Sequence, residues 1–145
     1  MTYSNQSTDY NATCWDIVNK LTYKLLATYS LFVVKEIIRE NKIKDKDIYL
    51  AIQSIENLLK NNSLENKKEV AYYAKHLGGK MENIYFPSVI ACLAACSAIG
   101  SHDVAMKATY AVLTSVDKRI ISWTPIKDKI INYGNKLLTE ELHAI

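Results

Sequence analysis

Four glycines and two prolines are all that interrupt 145 residues. A chain of this length built from many short strands needs a turn every few residues, and such turns draw on Gly, Pro and Asn-Gly. The scarcity excludes most all-β architectures and leaves helices as the natural solution. Apolar residues recur at three- and four-residue steps, which is the helical period. Hydrophobic residues make up 49% of the chain and charged residues 23%, enough apolar material for one packed core and too much for a disordered tail.

Read along the chain, the pattern resolves into about six helices. Asn11-Ala12-Thr13 offers N-cap residues, leaving 1–11 as a flexible polar lead. Trp15, Val18, Leu21, Leu25, Tyr29 and Phe32 then form one stripe of a long helix that continues through Val33 and Ile37 to about Asn41, with room for a bend near Tyr29-Ser30. Asp45 or Asp47 caps a second helix that buries Ile48, Ile52, Ile55 and Leu59 and ends at Lys60-Asn61-Asn62. Asn62, with Glu65 three residues on, resembles a capping box for a third helix. Its apolar face is Val70, Ala71, Ala74 and Leu77, and Gly78-Gly79 ends it. A fourth helix, from Pro87 to Ile99, is rich in Ala, Cys and Ser on most faces and is expected to be central and buried. Gly100 separates it from a fifth, with Val104, Ala105, Ala108, Ala111, Val112 and Val116 as its small-residue side. Thr124-Pro125 opens a sixth with Ile126, Ile130, Tyr133 and Leu137 inward. Gly134 lies inside that helix at about 1 kcal/mol relative to alanine, so either a neighbour packs closely there or the helix frays. No linker or repeat divides the chain. The expectation is a single all-α domain over 1–145, a bundle or short stack with a small-residue central hairpin.

Charge narrows the function classes. Eighteen Lys and Arg against 15 Asp and Glu give a net +3, and the two signs are interleaved, as in Lys42-Ile43-Lys44-Asp45-Lys46-Asp47. Arg39 and Arg119 are the only arginines, so the forks that clamp phosphate or read guanine are scarce, and nucleic acid is not an expected partner. The N-terminus has no basic start followed by an apolar run, and the apolar heart at Val89–Ile99 is far short of the ~20 residues of a spanning helix. The expectation is a cytoplasmic protein with no membrane partner. Cys14, Cys92 and Cys96 form no CxxC pair and read as reduced, packed thiols.

Catalytic and metal constellations are thin. Cys92 and Cys96 with His102 and Asp103 could be written as a metal set, but no second ligand pair exists, and the simpler reading is two thiols filling a core. A Cys/His nucleophile lacks an orienting acid, Gly78-Gly79-Lys80 is a helix end and not a phosphate loop, and no carboxylate pair sits in an apolar run. No catalytic residue, metal or cofactor is expected. Tyrosine is the unusual component, ten against two Phe. Tyr buries a ring while keeping its hydroxyl wet, which suits core margins and protein interfaces alike. Tyr72, Tyr73, His76 and Tyr85 flank the third-to-fourth helix connection and belong either to a partner surface or to the core edge. His102-Asp103 at a helix start is either a cap or a contact.

The segments Asp47–Lys60, Val70-Ala71-Tyr72-Tyr73-Ala74, Ala91–His102 and Ala108-Thr109-Tyr110-Ala111 together resemble the bacterial immunity proteins of the fifth polymorphic-toxin immunity group, over residues 45–115. That family is helical, with an alanine-rich hairpin bearing Gly and His near its turn and a Tyr-Ala pair further on. The chain departs from it in having only His102 in the hairpin and no arginine between Arg39 and Arg119. The resemblance implies a cytoplasmic, non-enzymatic protein that binds and neutralises a cognate toxin, with Tyr72, Tyr73, His76, Tyr85, His102 and Asp103 as candidate partner-binding residues. Two rival readings remain. One is a helical homodimer, adaptor or inhibitor that pairs through Tyr23, Tyr29 and Phe32. The other is a small helical enzyme with His102, Asp103 and Tyr110 lining a site.

Overall fold

A computed structural model describes residues 3–40, 42, 44–78, 101–115 and 124–143. They form six helices and no strand: α1 (Tyr3–Lys20), α2 (Tyr23–Glu40), α3 (Lys46–Lys60), α4 (Leu64–Gly78), α5 (His102–Ser115) and α6 (Thr124–His143). The all-α architecture follows the pattern of the sequence. The helix expected over Pro87–Ile99, the first half of the small-residue hairpin, lies outside the described residues, whereas the second half is α5.

The first long stripe is broken, though not at the expected place. α1 already begins at Tyr3, ahead of the expected cap at Asn11-Ala12-Thr13, so most of the polar 1–11 lead is helical. It ends at Lys20, and α2 runs unbroken through Tyr29-Ser30. At the corner, the Leu21 N–H closes a tight 3.4 Å bond to the Val18 carbonyl. The Thr22 carbonyl takes the Leu26 N–H at 2.9 Å and starts the next helix, a position that suits threonine. The Leu21 carbonyl, left outside both ladders, accepts a 2.8 Å hydrogen bond from His102 Nε2. The break lets both stripes face one core: Cys14, Ile17, Val18 and Leu21 from α1, and Leu26, Ala27, Val33, Val34 and Ile37 from α2, are buried.

Among the described elements α2 is the hub, packing against α3, α5 and α6, while α1 packs against α5 and α6. The α2–α5 seam is close because its residues are small. Ala27 and Ala105 are both buried, and two buried hydroxyls link the helices: Ser30 Oγ donates to Thr109 Oγ1 at 2.9 Å, and Thr109 Oγ1 donates to the Leu26 carbonyl at 3.2 Å. α5 is consequently rotated from the expected face. Ala105, Thr109, Val112 and Leu113 point inward, while Val104 and Ala111 are exposed. Glu36, buried on α2, pairs with Arg39 on its own helix and with Lys129 of α6 at 3.7 Å.

Gly134 is explained by the α2–α6 contact. A Cβ there would stand 2.5 Å from Tyr29 Oη and 3.0 Å from Ile17 Cγ2. Its absence opens the Ile130 carbonyl, four residues earlier on α6, and the Tyr29 hydroxyl donates to that oxygen at 2.6 Å. The close neighbour, not fraying, accounts for the glycine.

α3 and α4 form a hairpin. Asp45 is the N-cap of α3, its Oδ1 accepting the Asp47 and Ile48 N–H groups at 2.9 and 3.4 Å. Ile48, Ile52 and Ile55 are buried as expected, with Leu58 rather than Leu59 as the fully covered residue. The start of α4 is shifted by one residue from the expected Asn62. The Ser63 N–H bonds the Asn61 carbonyl at 2.9 Å, which brings Ser63 to the helix entrance, and its Oγ accepts the Asn66 N–H at 3.1 Å. Asn66 Nδ2 donates back to the Asn57 and Asn61 carbonyls at 3.2 and 2.8 Å, tying the two helices together at this end.

Candidate protein-binding face

The other end of the hairpin is tied by a different chemistry. His76, in the last turn of α4, places Nε2 3.4 Å from Asp47 Oδ2, in the first turn of α3. An acidic side chain suits the amino end of a helix and a basic one the carboxyl end, and the two partners sit at those respective termini. Tyr72 lies one turn before His76, and their rings are parallel, 6° apart in plane with centroids at 5.8 Å. Tyr73 meets Tyr72 edge-on at 5.2 Å and 79°. Val70 and Leu77 hold α4 down on the core, so Tyr72, about 200° round the helix from Val70, points away from it. It is 61% exposed, while Tyr73 is half-buried at the margin.

Three of the expected residues, Tyr72, Tyr73 and His76, thus form one stacked surface, with Asp47 as a fourth member that spacing alone could not assign to it. Tyr85 lies outside the described residues. His102 and Asp103 are on α5, away from this surface. His102 bonds the Leu21 carbonyl, and Asp103 pairs with Lys107 at 3.2 Å, one turn on and exposed. Tyr110, the third residue of the enzyme alternative, is engaged with Trp15, edge-on at 4.9 Å and 75°. Each of the three makes a separate contact.

Trp15 itself is a correction: expected on the core stripe, it is 40% exposed. It stands about 100° from the buried Cys14, on the flank of α1 that faces α5. Two rings of the homodimer alternative, Tyr29 and Phe32, are engaged within the fold. Tyr29 is fully buried, and Phe32 stacks on Tyr133 at 4.0 Å and 8°.

Burial raises the pKa of Tyr29 well above the ordinary tyrosine range, and nearby Cys14 adds to the shift. Burial also raises Tyr133, helped by the charge of Glu140. Cys14 is a buried thiol, while Cys92 and Cys96 lie outside the described residues. Among the described residues no three His, Cys, Asp or Glu side chains are grouped to hold a metal ion, and no helix is long and apolar enough to cross a membrane.

What the α3–α4 surface offers is recognition chemistry: exposed ring faces, phenol hydroxyls and carboxylates held in a fixed arrangement. No protein-family model, no curated protein and no solved structure matches the chain.

Proposed function

We propose that this chain is a non-enzymatic, cytoplasmic binding protein that docks a protein partner on the α4 face, and that the partner is a bacterial toxin which it neutralises. The observation that carries the reading is Tyr72, a large ring 61% exposed yet held by a parallel stack with His76 and an edge-on contact with Tyr73. A ring that is already oriented loses little freedom when a partner covers it, and buried aromatic anchors supply much of the energy of protein interfaces. The toxin as partner rests on the resemblance over residues 45–115 to the immunity group.

The test is capture and protection. The chain is co-expressed with a toxin domain encoded beside it in the source genome. Growth rescue and recovery of a stoichiometric complex support the reading. Tyr72→Ala with Tyr73→Ala is expected to lose the complex while the circular dichroism spectrum stays helical. A double variant that still rescues and still copurifies moves the interface elsewhere.

A further inference from the structure

We draw no further inference here: the strongest candidate, the exposed patch of α4 around Tyr72, belongs to the face already described, and with Lys68 and Lys75 lying as close to that ring as Glu69 its charges balance, so nothing in the structure shows what covers it.

Discussion

The α2–α6 contact and the α4 face are both built around tyrosine, and they put it to opposite uses. At the first, Tyr29 is fully covered, its hydroxyl is bonded to the Ile130 carbonyl, and a glycine on the facing helix makes the room. At the second, Tyr72 is mostly exposed, and among the described residues its ring contacts are with its own helix neighbours Tyr73 and His76. The ring that two helices share acts as a structural pin. The ring that one helix holds upright is free to be covered by something else. A tyrosine count of ten therefore says little until each ring is assigned a neighbour.

The widest gap between the two regions should be in stability. Tyr29→Ala removes a buried ring together with a buried hydrogen bond, and a loss of about 3–5 kcal/mol is expected in urea unfolding. Tyr72→Ala should stay within about 0.5 kcal/mol of wild type, as surface changes do. A Tyr72→Ala variant as unstable as Tyr29→Ala would break the contrast and make the α4 ring part of the core.

Gly134 sharpens the same comparison. In an open helix face Gly→Ala stabilises by up to about 1 kcal/mol. Here the new methyl would lie 2.5 Å from Tyr29 Oη and 2.7 Å from Cζ, and Tyr29 is held by its bond to Ile130. Overpacking of this kind costs about 1–3 kcal/mol, so Gly134→Ala should lower stability despite its better propensity. Repeating the change in a Tyr29→Phe background removes the nearest atom, and the two substitutions should combine to less than their sum. A rise in melting temperature for Gly134→Ala alone would mean that the helices are not this close.

These residues also mark the boundary of what the sequence made legible. Asp45 as a cap, the end of α3 at Lys60 and the opening of α6 at Thr124 were readable because such rules involve only near neighbours. So was the stripe that buries Ile48, Ile52 and Ile55. The corner at Leu21 was not, because the apolar period runs straight through it and the group that satisfies its carbonyl is His102, far along the chain. Phe32 was legible as a stripe residue, but its stacking partner Tyr133, far along the chain, was not. Tyr72, Tyr73 and His76 were legible as a cluster by spacing, whereas Asp47 joins them only through the hairpin.

Alkali offers a graded test of the buried site. Unfolded tyrosine ionises near pH ~10, while burial keeps the Tyr29 hydroxyl protonated in the native state well beyond that. Above pH ~10 the unfolded chain therefore holds fewer protons than the native one, so stability must fall as pH rises. The contribution is intact below that pH and is lost at about 1.4 kcal/mol per pH unit while Tyr29 stays neutral. Tyr29→Phe should flatten the alkaline limb relative to its own value at neutral pH. An unchanged slope would place the titration in other groups, Tyr133 first among them.

His76 and His102 repeat the contrast on a smaller scale. His102 closes the α1–α2 corner, where its Nε2–H is donated to a carbonyl that neither helix can use. Removing it strands the Leu21 oxygen at a partly covered position, so His102→Ala should cost about 1 kcal/mol and speed amide exchange at that corner. His76 meets Asp47 at 3.4 Å with both side chains in partial contact with solvent. An ion pair of that kind contributes about 0–1 kcal/mol, and His76→Ala should sit at the lower end of that range. Its larger consequence belongs to binding, since Tyr72 loses the ring that keeps it oriented. If His76→Ala destabilised the fold more than His102→Ala did, the α3–α4 tie would be a structural lock, and the case for α4 as a face kept open for a partner would weaken with it.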